Sequence, residues 1–546
     1  MKKLVTNSLF LFFICFQLSA QEFSQAQKNR WLEIAEANTP TLVVSQKNPV
    51  TLVSIVEDSS AFQGYKAQTV SGLEEFYNNG MKQQSGKVFD FGDHLTGFLT
   101  IKIDEKKRAV DAPVRVKFTF AETPAEALLP FDPYKGTLSR SWLQDEIITV
   151  TEVPCTVTIP RRVSFRYVRI DVLGTAPDFR ISEIYLNATT SVKVKPEPLA
   201  SNTPELIKKI DKVALNTLKE CMQTVYEDGP KRDRRLWIGD LYLEMLSNKY
   251  SFKNDSLTKR CLYLFAGLIL PDGVLPPNVF ERPEPHSEIS HLFDYALIYN
   301  VVLKEYLDAT GDFETANDLW PVVKSQVQFP KEYILENGLI DYKRADKDWW
   351  LFFDWNEELD KQACMQGCVI WAYKNTYELA KKLGKEDELK EIPALIDKLT
   401  KSARKNLYDK KQGVFVSGDK KQVSYGSQAW MVLSGVASKE EGSQAFKKIN
   451  EIKNVVYPGA PYMFHYVVEA MINVGLKQEA KDVVTSYWGG MVKKGADTFW
   501  EVYVPDNDLF SPYNSHLINS YCHAWACTPT YFIRKYPKIF QDDSVK

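Results

Sequence analysis

Cysteine is scarce in this chain, with eight in 546 residues. Setting aside Cys15, which lies in an N-terminal apolar run, the rest are Cys155, Cys221, Cys261, Cys364, Cys368, Cys522 and Cys527. An odd, widely spaced set of this kind excludes a disulfide framework. Cys364 with Cys368 and Cys522 with Cys527 have helical spacing, but no histidine or second cysteine pair stands at zinc-site distance, so buried thiols and no metal or cofactor are expected. An excess of one charge is also missing. The 68 Lys and Arg meet 70 Asp and Glu, for a net charge of −2, which excludes the basic surface of a nucleic-acid partner. The apolar run Leu9–Leu18 is too short to span a bilayer, which takes about 20 residues. Preceded by Lys2 and Lys3 and followed by Leu18-Ser19-Ala20, it has the pattern of a secretory signal peptide over residues 1–20. Cys15 lacks the small residues before it that lipid attachment needs. The expectation is a soluble exported protein with no membrane anchor, periplasmic in the first instance and extracellular in the second.

What is present describes an ordinary globular protein with ample core, 44% hydrophobic and 25% charged. From Val50 to about Leu186 the pattern has period two. Val114-Arg115-Val116-Lys117-Phe118-Thr119-Phe120 alternates without fault, Cys155–Ile159 does the same, and Leu99–Ile103, Val163–Val172 and Ile181–Leu186 are further strands. With turn-rich segments between them, they predict an antiparallel β-sandwich over 21–187, serving either as a sugar-binding module or as a packing partner for the next domain. Residues 188–203, with Pro196 and Pro198, break both periodicities and read as a linker.

From Thr203, an N-cap followed by Pro204, the period changes to that of a helix. Twelve helical stretches succeed one another, at 204–226, 236–249, 255–269, 287–309, 313–336, 360–383, 385–406, 425–437, 438–450, 461–475, 476–489 and 515–535. Short connections between them predict antiparallel hairpins arranged in two rings, an all-α domain over 204–540. The longer connections, 226–236, 270–286, 338–359 and 490–514, then gather at one end, where a site would be built.

The first of these connections, Glu227-Asp228-Gly229-Pro230-Lys231-Arg232-Asp233-Arg234-Arg235-Leu236-Trp237-Ile238-Gly239-Asp240, packs four carboxylates around four cations. Crowded carboxylates can be driven to different pKa values, as general acid and base work requires, and a solvated ion-pair loop is the other reading. Trp237 and Gly239 favour a site, because a solvated turn has little use for an indole and a glycine beside its charges.

This stretch resembles the Asp-x-Pro-x-Arg-(Asp/Glu)…Trp-x-Gly-Asp signature of the bacterial α-L-rhamnosidases of glycoside hydrolase family 78. Gly495-Ala496-Asp497-Thr498-Phe499-Trp500-Glu501 resembles the family's Thr-(Phe/Leu)-Trp-Glu segment, and Ser520-Tyr521-Cys522-His523-Ala524-Trp525 its Cys-His-x-Trp stretch. The resemblance covers roughly Pro204 to Tyr536 and, more weakly, the β-rich region. It implies an (α/α)6 barrel, a carbohydrate substrate and an inverting hydrolysis, with the acid in the first motif, Glu501 as base, and Asp228 and Asp240 as sugar ligands. Arg232, Trp237 and Trp500 belong to the same motifs. The family's acid is usually a glutamate. Here the ungapped alignment puts Asp233 in that place, and a one-residue shift would put Arg234 there. The connection Asp346–Trp355 resembles the family's Asp-Trp loop and offers Trp350 and Trp355 for stacking and Asp354 for hydroxyls, unless the aromatics form a core seam. His516 and His523 stand seven residues apart, on one face of the expected last helix, and are read as sugar contacts. Members of the family commonly carry a further β-domain after the barrel, so a short form is expected. Arg232, Arg234 and Arg235 either pair with carboxylates inside the loop or meet an acidic neighbour of the sugar, as in an anionic plant or algal polysaccharide. A weakened carbohydrate-binding protein and a polysaccharide lyase are the competing functions.

Overall fold

The computed structural model describes residues 23–542, apart from 82–83, 107–109, 111 and 175–177. The expected export signal, residues 1–20, lies outside the described residues. The period-two stretches form nine strands, β1 (Val43–Lys47), β2 (Thr51–Glu57), β3 (Tyr65–Ser71), β4 (Lys87–Glu105), β5 (Val114–Ala121), β6 (Asp145–Val150), β7 (Cys155–Thr158), β8 (Val163–Val172) and β9 (Phe179–Thr190). Every pairing is antiparallel. The long strand β4 organises the domain. Its first half lies between β2 and β8 and its second half between β7 and β9, and its register against β8 shifts between Asp90 and Leu95. Phe89, Leu99, Ile101, Phe118, Phe165 and Ile184, from both halves, fill one core. In β5 the alternation is direct, with Val114, Val116 and Phe118 inside and Arg115 outside. Two short helices, α2 (Leu73–Asn78) and α3 (Pro124–Leu128), sit in the connections.

A helical domain comes after this antiparallel sheet domain: α4 (Glu205–Cys221), α5 (Ile238–Lys249), α6 (Asp255–Gly267), α7 (Phe293–Thr310), α8 (Phe313–Asp318), α9 (Trp320–Gln328), α10 (Tyr342–Asp348), α11 (Gln362–Leu383), α12 (Ile392–Leu407), α13 (Tyr425–Leu433), α14 (Lys439–Lys448), α15 (Pro461–Asn473), α16 (Lys477–Lys493) and α17 (Pro529–Lys535). In α4 the residues Ile207, Ile210, Val213, Ala214, Leu218 and Cys221 are buried, the helical stripe expected from their spacing. Neighbouring helices pack mostly in sequence, α5 on α7, α7 on α11, α11 on α13 and α13 on α15. Among the described residues no helix is long and apolar enough to cross a membrane.

Several elements differ from expectation, among them α10, a short helix inside the connection 338–359. The stretch 313–336 is broken at Trp320-Pro321, because proline cannot continue the hydrogen-bond ladder, and gives α8 and α9. The stretch 515–535 is helical only from Pro529. Before it lie two 3₁₀ turns, His516–Ile518 and Ala524–Cys527. Backbone groups that a helix would use internally bond elsewhere, with Glu501 N donating to Ser520 O, His523 N to Phe499 O and Ala524 N to Asp228 O. Finally, a helix outside the period-two reading, α1 (Gln25–Ala37), lies at the front of the segment assigned to the sheet domain yet packs on α6. Trp31 is buried and donates through Nε1 to Asp318 at 3.1 Å, and Arg260 Nη1 donates to Ala35 O at 2.6 Å.

Candidate active site

The connection between α4 and α5 is drawn tight by close approaches. A side chain at Gly229 would put its Cβ 2.4 Å from Arg232 O, and one at Gly239 would meet the Tyr295 ring at 2.3 Å, so both positions require glycine. Asp228 ties the turn by accepting from Asp233 N at 3.2 Å and Arg235 N at 3.0 Å. Arg234, in the left-handed region at φ 62°, sends consecutive side chains different ways. Its own guanidinium turns away from the cavity to Pro230 O at 2.9 Å and to Arg162 O of the sheet domain at 2.8 Å, while Asp233 and Arg235 face the cavity.

That cavity, of about 200 Å³, is lined by Asp228, Arg232, Asp233, Arg235, Trp237 and Asp240 from this turn and the start of α5. Leu292 and Tyr295 reach it from α7 and the residue before it, Trp350, Phe352 and Trp355 from the connection after α10, and Glu501, Tyr513, His523 and Trp525 from the chain after α16. Three of the four long connections thus meet as expected. The remaining one, 270–286, supports from beneath, with Phe280 under the Arg235 guanidinium at 4.3 Å and Asn278 paired to Trp237. Leu138 arrives from the sheet domain, and no sequence signal pointed to it.

Glu501 is the most firmly held group. Arg232 Nη2 and Tyr513 Oη donate to its two carboxylate oxygens, Ser520 N adds a third bond at 3.3 Å, and Trp525 Nε1 donates to its backbone oxygen at 3.0 Å. Arg232 is itself fixed by Nε donating to Ile518 O at 2.7 Å and by the Tyr513 ring 4.5 Å from its guanidinium carbon. From the same guanidinium Nη1 stands 3.6 Å from Asp233, so one cation links the two carboxylates. Asp233 also has Arg235 at 3.9 Å, and its side chain keeps 18% of its surface exposed.

Below them, burial pushes Asp228 up, reinforced by the neighbouring carboxyl of Asp233, and pushes Asp240 well up, reinforced by Asp228 and Glu501. Carboxylates crowded into so little space disfavour one another's ionised form, which pushes the floor toward its protonated state. Burial and then Arg232 keep His523 well below its usual range. It is a neutral ring, its Nδ1 3.7 Å from Asp240 and its face 4.1 Å from the Trp525 ring. Trp237 and Trp350 meet edge to face at 6.2 Å, and Trp350, 49% exposed, stands at the rim. Among the described residues no group of three or more metal-binding side chains occurs.

The predicted site residues therefore divide. Asp228, Arg232, Asp233, Trp237, Asp240, Trp350, Trp355, Glu501 and His523 share the cavity, and three others do not line it. Asp354 accepts from Gly459 N at 2.7 Å and Trp355 N at 2.9 Å and holds the loop's backbone instead. Trp500 stacks on Phe62 of the sheet domain at 4.0 Å and, unlike its neighbour Glu501, does not line the cavity. His516 lies in a 3₁₀ turn, so the helical face it was to share with His523 does not exist. Tyr513, Tyr295, Phe352 and Trp525 line the cavity without having been expected there. Trp525 stands in one of the three motifs and Tyr513 in a long connection, the two signals that could have raised them.

A pocket of this size, walled by indoles and floored by carboxylates with one cation between two of them, is that of a carbohydrate-active enzyme. Comparison with known proteins agrees. Residues 49–189 match the glycosyl hydrolase family 78 alpha-rhamnosidase N-terminal domain, and residues 200–536 match the bacterial alpha-L-rhamnosidase 6 hairpin glycosidase domain. The chain belongs to glycosyl hydrolase family 78. It is 39% identical to a rhamnosidase from Klebsiella oxytoca solved with rhamnose bound, over 93% of this chain and 99% of that one, with a TM-score of 0.89. A family 78 rhamnosidase of Bacillus sp. GL1 shares the fold at 21% identity and a TM-score of 0.69, over 86% of this chain and 49% of that one, so the chain spans about half its length. Among curated proteins, N,N'-diacetylchitobiose phosphorylase of Vibrio proteolyticus is 25% identical over 146 residues, 24% of this chain and 17% of that protein.

Proposed function

We propose that the protein is an exported α-L-rhamnosidase that removes terminal α-L-rhamnose with inversion, on an (α/α)6 barrel whose long connections carry the site. The observation behind this reading is the pairing of Asp233 and Glu501 across Arg232 in one cavity. Inverting hydrolysis needs an acid and a base about 6.5–9.5 Å apart, so that a water fits between the base and the sugar. A guanidinium touching both carboxylates spaces them without letting them meet. Asp233 gives its proton to the leaving oxygen. Glu501 takes one from water, which adds to the anomeric carbon on the face opposite the departing group and yields β-L-rhamnose. Trp237, Trp350 and Trp355 offer faces for the ring, and the protonated floor carboxyls can donate to its oxygens.

The cavity volume of about 200 Å³ falls below the ~300–1,000 Å³ of sites for drug-sized ligands, which suits one terminal sugar rather than a chain interior. The bound rhamnose in the Klebsiella oxytoca protein supports the same sugar here. Residues 1–20 support export, with the periplasm as destination. As source we take a plant or algal oligo- or polysaccharide. Of the three arginines only Arg235 has its charged end at the rim, so any acidic neighbour of the rhamnose is met there. A proton NMR time course on an aryl α-L-rhamnoside tests the mechanism. Free β-rhamnose is expected to form first and then mutarotate, and initial release of the α-anomer would rule out inversion.

A further inference from the structure

The two catalytic segments are far apart in sequence and lie on different connections, yet both fasten to a single carboxylate of the other domain. Glu122, the residue after β5, receives Lys231 Nζ and Tyr521 N on the same oxygen, Oε2, each at 2.8 Å. Its other oxygen lies 2.9 Å from His94 Nε2. Lys231 precedes Asp233 by two residues. Tyr521 comes directly after Ser520, whose N donates to Glu501 Oε2 at 3.3 Å and whose O accepts from Glu501 N at 3.0 Å. Lys231 has a second partner, Glu126 of α3, at 2.8 Å, and Glu126 in turn takes Glu122 N at 2.6 Å. The side chains of Glu122, Glu126 and Lys231 are 0–2% exposed, and none of the three lines the cavity.

We propose that Glu122 is a positioning residue which sets the placement of Asp233 relative to Glu501, holding the acid's turn through Lys231 and the segment bonded to the base through Tyr521. This rests on the assignment of Asp233 and Glu501 as acid and base. The physical case is that buried charges fix geometry when each is paired, and that a carboxylate oxygen shared by two donors fixes those donors against each other. Displacing reacting groups by about 1 Å costs on the order of 100-fold in rate. Glu126 provides the internal control, since it is equally buried and equally paired to Lys231 but, among the described residues, has no bond to the base's segment.

The experiment compares Glu122→Gln, Glu126→Gln and Lys231→Met in the full chain by kcat and KM on methyl and aryl α-L-rhamnosides, inhibition by free rhamnose, and Tm. Glu122→Gln is expected to lower kcat by about 10- to 100-fold while the rhamnose inhibition constant stays within about 3-fold. Glu126→Gln is expected to lose a comparable Tm with a much smaller loss of kcat. Lys231→Met, which frees only the acid's side, is expected to lose more on the methyl than on the aryl substrate. Equal kcat losses in the two glutamine variants, or a folded Glu122→Gln with kcat within about 3-fold of wild type, would overturn the proposal. Should Glu122→Gln not fold, Lys231→Arg, which keeps the charge and moves its position, is read in the same way, and an unchanged kcat there counts against it. A wild type inactive on every rhamnoside would instead refute the assigned activity, a separate outcome.

Discussion

Glu501 and Asp233 share a cavity but not a manner of being held. Three donors converge on the Glu501 carboxylate, from a guanidinium, a phenol and a backbone amide, and its surroundings are buried. Asp233 stands at the rim with only the more distant guanidinium contacts at 3.6 and 3.9 Å. The difference suits the two tasks proposed for them. A base that aims a water must be fixed against the sugar, whereas an acid that tracks the leaving oxygen benefits from some play, the more so when its side chain is one methylene shorter than the family's usual glutamate. The sharpest way to break this comparison is at the fixed end. Glu501→Gln keeps the shape and most of the bonds but cannot take a proton, and is expected to lose about 10²–10⁴-fold in kcat with rhamnose binding retained. Single-turnover kinetics with an inhibition assay would measure both, and wild-type-like kcat would remove Glu501 from the mechanism.

The loosely held end is expected to give a smaller and substrate-dependent effect. Asp233→Asn should lose most activity on methyl or sugar leaving groups, up to about 10²-fold or more, and much less on an activated aryl rhamnoside whose phenolate needs little protonation. A plot of log kcat/KM against leaving-group pKa should steepen in the variant. The same slope in both proteins would assign the proton to another group.

How much of the molecule is legible in its sequence depends on where the signals are local. The alternation of Val114–Phe120 and the stripe on α4 each report one face of one element, and both hold in the structure. The Asp228–Asp240 turn is legible because its glycines, proline and tryptophan stand in one short stretch of sequence. Trp500 misleads because two sequence neighbours can face different domains, and only the tertiary structure says which of them enters the site. His516 misleads because no helical period runs through a segment whose backbone bonds to Glu501 and Phe499 instead. The α1 helix is hidden by its weak pattern, with Trp31 and Ala35 its only buried residues. Leu138 and Glu122 cannot be read at all, since nothing in the local sequence of a connection says which other domain it will touch.

Asp354 offers a test in stability rather than rate. Burial pushes its carboxyl up to about 7, although two backbone amides at 2.7 and 2.9 Å work the other way. Between its ordinary value of 3.8 and about 7 the unfolded chain has lost this proton while the folded protein keeps it, so stability from this group is full at low pH and falls as pH rises through that window. Asp354→Asn cannot ionise and should lack that fall. The difference in unfolding free energy between variant and wild type should drift by up to a few kcal/mol from pH 4 to 7, read by urea denaturation at several pH values. A constant difference would mean that Asp354 is ionised in the folded protein.

The smallest effect is expected at Arg235, and it bears on the substrate. Arg232 is consumed by Glu501 and Asp233, and Arg234 by two backbone oxygens, but Arg235 lies at the rim with Asp233 at 3.9 Å and, among the described residues, one other carboxylate, Glu288, at 3.4 Å and 47% exposed. An exposed pair of that kind is worth about 0–1 kcal/mol, so a ligand carboxylate can displace it at little cost. On a neutral rhamnoside Arg235→Ala should therefore change kcat/KM by no more than about 5-fold, the equivalent of ~1 kcal/mol. On a rhamnosyl-uronate oligosaccharide the loss should be larger, because a bond between a guanidinium and a carboxylate is worth about 1.5–3 kcal/mol, on the order of 10- to 100-fold. The comparison needs the same oligosaccharide with its carboxyl reduced to the alcohol, so that size and linkage stay constant. If wild type hydrolyses the acidic and reduced forms equally well, the neighbouring sugar is not read by charge, and Arg235 serves only to hold Asp233 from the side that Phe280 supports.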